Sequence, residues 1–142
     1  MKKILELLQN KGGDIWSVTP DTSVLDAIKM MAEKGIGALM VLDGGKPVGI
    51  ISERDYARKV ILMGRSSENT PVSEIMSSSL IFADTEQSVE DCMALMTDHR
   101  IRHLPVLDNN ELVGVISIGD LVKTIIDEQQ FMIKQLETYI AS

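Results

Sequence analysis

The sequence predicts an α/β (α+β) protein built from one small helix–strand–strand–helix unit used twice. Three observations predict it. Val48-Gly49-Ile50-Ile51-Ser52-Glu53-Arg54-Asp55 recurs sixty-five residues later as Val113-Gly114-Val115-Ile116-Ser117-Ile118-Gly119-Asp120. Residue n aligns with n+65 without a gap from Ser23/Ser88 to Asp55/Asp120, and fourteen of those thirty-three pairs are identical. Between these landmarks, short apolar runs bounded by turn residues alternate with segments of helical period.

Each element follows from local chemistry. Ile4, Leu5, Leu7 and Leu8 among charges predict a short amphipathic helix over residues 2–10, ended by Gly12-Gly13. Ile15-Trp16-Ser17-Val18 reads as extended, and Pro20-Asp21 turns the chain. Ser23 is a helix N-cap, and Val24, Ala27, Ile28 and Met31 share the apolar face of the helix that Gly35 stops. Ala38 to Leu42 and Val48 to Ile51 read as strands about the Asp43-Gly44-Gly45 turn. Ser52 caps a helix from Glu53 to about Leu62. The order then repeats: a short helical turn at 72–76, an extended Leu80-Ile81-Phe82, and a Ser88-capped helix with Val89, Cys92, Met93 and Met96 inward. Strands at His103 to Leu107 and Leu112 to Ile116 flank the Asp108-Asn109-Asn110 turn, and a last helix starts near Ile118.

This divides the chain into a helix at 1–12, a first unit at 13–65, a linker at 66–71 and a second unit at 72–128. A terminal helix, 118–141, runs beyond the second unit. Each unit alone has too small a core to fold. The expected remedy lays the two sheets against each other about a pseudo-twofold axis, with two related clefts where strand ends meet.

Composition excludes several functions. The 142 residues are 44% apolar and 25% charged, with a formal charge of -7 that disfavours DNA or RNA as partner. Aromatics are few, so the core is aliphatic, with nine Met as filler. One cysteine, Cys92, allows no internal disulfide and fits a reducing, cytoplasmic setting. Glu6, Gln9, Asn10 and Lys11 interrupt any signal-like apolar run, and no stretch predicts a membrane span. Neither histidine stands at metal-ligand spacing, and no catalytic base, nucleophile or phosphate loop is legible, so no enzyme is expected.

The repeated motifs, with Leu104-Pro105-Val106-Leu107-Asp108 before the second, resemble those of a tandem pair of CBS domains. That nucleotide-sensing module is named after cystathionine β-synthase. The resemblance covers roughly residues 10–128 and is closest to small stand-alone CBS-pair proteins. It implies a regulatory, non-catalytic module whose clefts bind an adenosine derivative: AMP first, with ADP, ATP, NAD(H) or S-adenosylmethionine also in the class.

The resemblance places the ribose at the two Ser-x-x-Asp corners, Ser52/Asp55 and Ser117/Asp120, where a carboxylate accepts from neighbouring hydroxyls. A Ser cap with an acid three residues on is also an ordinary helix start, and both roles can coexist. For phosphate, Arg102-His103 resembles the basic pair of family members that bind nucleotide phosphates. The first unit has Gly37-Ala38 there, and Arg54 is the compensating cation. Family analogy puts the adenine among Ile15, Trp16, Ser17, Ile81, Ile101, Ile116, Ile36 and Gly37, each of which also suits plain core. The expected sites are therefore unequal.

Ile125, Ile126, Phe131, Met132, Leu136, Tyr139 and Ile140 follow a helical period beyond the second unit. With Ile4, Leu5 and Leu8 they form an apolar stripe that needs a partner surface, and the resemblance implies a homodimer through terminal and CBS-unit helices. The regulated partner protein is not encoded legibly. The competing reading is a ligand-free dimeric scaffold whose Asp55 and Asp120 are only helix caps.

Overall fold

In the computed structural model, which describes residues 2–141, Ser23 ends an extended segment and starts a helix because its side chain accepts the Asp26 amide at 3.1 Å. The same device opens three further helices, at Ser52, Ser88 and Ser117. The elements are α1 (Ile4–Lys11), β1 (Ser17–Val18), α2 (Val24–Lys34), β2 (Ala38–Asp43), β3 (Lys46–Ser52) and α3 (Glu53–Tyr56), then β4 (Ala83–Asp84), α4 (Val89–His99), β5 (His103–Asp108), β6 (Glu111–Ser117) and α5 (Ile118–Ala141). Gly35 closes α2 in the left-handed region at φ 65°, where a side chain is strained. Arg100 closes α4 at φ 54° without being glycine.

The duplication extends to register. Each unit holds a three-stranded sheet, β1-β2-β3 or β4-β5-β6, with a parallel edge and an antiparallel hairpin. Val18 pairs with Val41 as Ala83 pairs with Val106, and Leu39 with Ile51 as Leu104 with Ile116. The same bulge follows, between Val41 and Leu42 and between Val106 and Leu107.

The compact units are not the sequence repeats. One is Asp14–Ile81; the other joins Met1–Gly13 to Phe82–Ser142. Residues 72–81 therefore pack with the first sheet and α1 with the second. Backbone pairing is the reason. The Val24 amide donates to Thr70 O at 2.8 Å and the Val72 amide to Thr22 O at 2.8 Å. In the other unit the Val89 amide donates to Lys2 O at 2.9 Å and the Ile4 amide to Gln87 O at 2.8 Å. The equivalent pairs Lys2/Thr70 and Ile4/Val72 are sixty-eight apart, not sixty-five, so the connection after α1 is three residues longer.

Two local expectations shift. The edge strand of the second sheet is Ala83–Asp84, not Leu80–Phe82, because Ala83 is the residue that is buried and in register with Val106. The helix after Ser52 is α-helical only to Tyr56 and then widens into a π-turn, Ala57–Ile61, which buries Val60.

Within the first unit Met31, Leu39, Val41 and Ile51 form the core with Val72 and Ile75. The second buries Met96, Leu104, Ile116 and Leu121 together with Ile4 of α1. Each such side chain contributes about 1.5–3 kcal/mol over exposure. Cys92 is buried, and burial with the nearby Asp91 charge pushes its thiol up to about 11.

Candidate functional site

Each unit presents one corner where the third strand ends and a helix begins. Ser52 keeps extended angles, φ −125° and ψ 164°, so the chain turns sharply into α3. Its amide donates to Asp55 Oδ2 at 2.9 Å, its hydroxyl to the same oxygen at 3.1 Å, and the Asp55 amide donates back to Ser52 Oγ at 3.2 Å. The second corner repeats this: the Ser117 amide donates to Asp120 Oδ2 at 2.8 Å and the Asp120 amide to Ser117 Oγ at 3.1 Å. Both carboxylates are thus helix caps, and both corners remain half-buried.

A lysine faces each acid, and the two lysines come from different places. Lys59 Nζ lies 3.1 Å from Asp55 Oδ1 and donates to Ile75 O at 2.9 Å. Lys11 Nζ, at the end of α1, donates to Asp120 Oδ2 at 2.6 Å and to Val115 O at 2.7 Å. Burial would raise the Asp120 carboxyl. The hydrogen bonds from Lys11 and from Ser117 outweigh it and hold the group below the usual carboxylate value.

Arg102 and His103 stand at the second corner. The Ile118 amide, first in α5, donates to Arg102 O at 2.8 Å, and His103 is the register partner of Ser117. Burial pushes the His103 imidazole down from its ordinary value. The Lys11 and Arg102 charges add to that, against Asp120. Arg102 is exposed at the strand start.

In the first unit the Glu53 amide donates to Gly37 O at 3.0 Å, which closes the same corner. Ile36, Gly37 and Glu53, with Ile28 and Met31 of α2, line a cavity of about 320 Å³. The small residues Gly35 and Gly37 stand where the second repeat has Arg100 and Arg102. Arg54 is half-buried on α3.

Of the other residues named for adenine, Ile15, Ser17, Ile81 and Ile101 are half-buried and Trp16 is exposed. Lys34 Nζ sits 4.1 Å from the centre of the Trp16 ring, a cation–π contact on an exposed indole. Ile116 corrects the expectation. It is 0% exposed on the inward face of β6 and packs as core, not as the wall of an open slot.

Sequence reasoning missed both lysines. Lys59 was legible as the i+4 partner of Asp55 on one helix face. Lys11 was not, since 109 residues separate it from Asp120. Among the described residues no three His, Cys, Asp or Glu side chains cluster as a metal site, and no helix is long and apolar enough to cross a membrane.

The chain is similar in sequence and fold to known proteins. The CBS domain matches residues 5–61 and 72–127. The chain is 41% identical to the mitochondrial CBS domain-containing protein CBSX3 of Arabidopsis thaliana, across 96% of this chain and 71% of that protein. It is 38% identical to CBS domain-containing protein YhcV of Bacillus subtilis, with 74% of each chain covered. A solved structure described as a putative signal-transduction protein with CBS domains, from Burkholderia ambifaria MC40-6, superposes with a TM-score of 0.87 at 53% identity, covering 90% of this chain and 96% of that one. The CBS domain pair of protein MJ0100, in complex with 5′-methylthioadenosine and S-adenosyl-L-methionine, shares the fold with a TM-score of 0.80 at 23% identity, covering 90% and 98%.

Proposed function

This chain belongs to the CBS domain family, and from that membership we propose that it is a regulatory module that binds an adenosine derivative at its Ser-x-x-Asp corners and passes the binding state to a partner protein. AMP is the first candidate, followed by ATP and NAD(H). The single observation that carries the reading is the pair of half-buried corners, each combining an acid, a serine hydroxyl and a cation at a helix start. Asp120 and Asp55 accept ribose hydroxyls, and Ser117 and Ser52 orient them. Arg102 and the helix N-terminus take phosphate at the second corner, with His103 beside them. At the first, Arg54 supplies the charge. Ile15, Trp16, Ser17, Ile36, Gly37, Ile81 and Ile101 are the apolar and backbone surface offered to the base. The adenosine ligands of the MJ0100 pair point to the same ligand class.

Regulation then rests on differential affinity. A ligand that prefers one packing of the protein shifts it toward that packing, and the partner reads the shift. The assembly that belongs to this reading is a homodimer through α5 and the CBS-unit helices; Ile4 and Leu8 of the N-terminal helix, expected to share in it, are buried within their own unit instead. Its support is the spacing Val122, Ile125, Gln129, Met132, Leu136, Tyr139, which is a heptad seam, and Ile126, Ile133 and Ile140 widen the same stripe. All three isoleucines on that flank are exposed. A cytoplasmic setting completes the reading, supported by the single buried Cys92.

Thermal shift and calorimetry with adenosine, AMP, ATP, NADH and S-adenosylmethionine test it. At a hundred times the dissociation constant, a bound ligand adds roughly 2.7 kcal/mol, a shift of several degrees. A second reading, a dimeric scaffold, draws on one observation: both carboxylates are already engaged as caps. Silence across the whole panel favours it.

A further inference from the structure

We infer that Lys11 is the phosphate-selecting residue of the second corner: its ammonium group leaves Asp120 when a ribose docks there and moves to the ligand's phosphate. This rests on the reading that the corner binds an adenosine nucleotide. What it adds is a residue from outside the duplicated unit and the reason the two corners differ in ligand charge.

The placement of Lys11 is built, not incidental. Up to Leu8, α1 is the counterpart of the 70–76 segment: the side chains of Leu8 and Met76 occupy the space where a Cβ on Gly114 or Gly49 would stand. Beyond Leu8 the correspondence ends. The segment at 72–74 is a single 3-10 turn, whereas α1 continues another turn to Lys11 before Gly12 stops it at φ 97°. That turn lies in the connection that is three residues longer. Its product is a lysine held over the end of β6, bonded to the Val115 carbonyl and to Asp120.

The anchoring does not need the ion pair. Ile4, Leu7 and Leu8 are buried, and the Ile4 and Leu5 amides are bound to Gln87 and Thr85 carbonyls. The Lys11 side chain, in contrast, is 39% exposed, and a lysine ammonium rides on a four-carbon stem with several rotatable bonds. It is thus free to exchange partners while its helix stays docked. The ribose hydroxyl competes for the carboxylate, and the released ammonium is left beside a helix N-terminus that already favours an anion.

Charge separates the two corners. At the second corner the charges of Lys11, Asp120 and Arg102 all act on His103, which burial holds toward its neutral form. At the first corner Lys59 pairs with Asp55, Arg54 lies between two acids in the sequence, and one of them, Glu53, lines the adjoining cavity. The second corner carries a surplus cation and the first is balanced. Moreover, Lys59 is tied to the Ile75 carbonyl, and its repeat counterpart is Thr124, whose hydroxyl turns back to the Asp120 carbonyl at 2.9 Å. On α5 the position of Lys59 is taken by Thr124, and the lysine bonded to Asp120 comes from α1 instead.

Calorimetry of AMP and adenosine against wild type, Lys11→Ala and Lys11→Arg decides the matter. Lys11→Ala is expected to lose about tenfold or more in AMP affinity at that site, a charge-assisted hydrogen bond's worth. Its adenosine affinity stays equal or rises, because the sugar no longer competes with Lys11 for Asp120. Lys11→Arg restores most of the AMP affinity. An unchanged AMP-to-adenosine ratio in Lys11→Ala overturns the inference while leaving the binding reading intact. Equal loss of both ligands also overturns it, by reducing Lys11 to a prop for Asp120. Wild type binding neither compound sinks this inference and the nucleotide reading together.

Discussion

Lys59 Nζ stands 3.1 Å from Asp55 Oδ1, one helical turn along from a carboxylate whose other oxygen closes the cap at Ser52. The same ammonium donates to Ile75 O, so one side chain joins the π-turn, the cap and the 3-10 segment of the first unit. An isolated i,i+4 pair contributes about 0.3–0.5 kcal/mol, and the carbonyl bond adds to it. Lys59→Met is therefore expected to cost about 1 kcal/mol in urea unfolding. A loss indistinguishable from zero would remove Lys59 from any structural role.

The cap and binding roles of the acids are separable. Asp120→Asn keeps an oxygen for the Ser117 amide but removes the charge. Ser117→Ala removes the acceptor of the Asp120 amide and should cost about 0.5–2 kcal/mol of stability. Asp120→Asn should lose less stability than Ser117→Ala and more adenosine affinity. Paired denaturation and calorimetry check the crossing; no loss of affinity in Asp120→Asn assigns the acid to the cap alone.

Gly114 admits Leu8: a Cβ there would lie 2.7 Å from Leu8 Cδ2. Gly114→Ala should cost about 1–3 kcal/mol and loosen α1, because overpacking at a docking contact displaces the docked side chain. Limited proteolysis within residues 2–13 reports it. Gly49→Ala meets the Met76 sulfur and the Ser77 carbonyl and should loosen the 72–81 segment instead. Identical cleavage patterns in both variants would contradict the exchange of segments between units.

Stability should depend on pH through His103 and Asp120. His103 titrates below its ordinary value when folded, so between that value and the unfolded one of about 6.5 the unfolded chain binds the extra proton. Its contribution is present above about pH 6.5 and is lost as pH falls toward the folded value. Asp120 is also lowered; its contribution holds above the unfolded carboxylate value and disappears as pH falls through the folded one. Thermal midpoints between pH 5 and 7.5 should climb with pH, and His103→Asn should flatten that slope. An unchanged slope would place the titration elsewhere.

Leu136 is 60% exposed on a helix of 24 residues, about 36 Å long, whose one fully buried side chain is Leu121. A charge on that seam is incompatible with burying it against a second copy. Leu136→Asp is expected to convert the proposed dimer to a monomer in analytical ultracentrifugation, with the fold intact by circular dichroism. A monomeric wild type would dismiss the α5 interface.

Much of this molecule was legible before any coordinate. Serine caps at Ser23, Ser52, Ser88 and Ser117, the Gly35 stop and the two hairpins are local chemistry, and local chemistry is written along the chain. The duplication made the reading firmer, since two copies of a strand–corner–helix motif constrain each other. It also misled. The repeat period of sixty-five sets bounds at 13–65 and 72–128, whereas the backbone bonds of Val72 and Ile4 tie the segment before each repeat to the other repeat.

By itself, then, the sequence determined the family through the resemblance of its repeated motifs, and the α/β class, the repeated register and the acids at the two corners through period and short-range hydrogen bonding. Only the tertiary structure decided that Ile116 is core, that α1 docks on Gly114 and that Lys11 meets Asp120. Those facts depend on which distant segments share a surface. Contact between residues 109 positions apart is set by packing and chain connection, and no local preference of either residue encodes it.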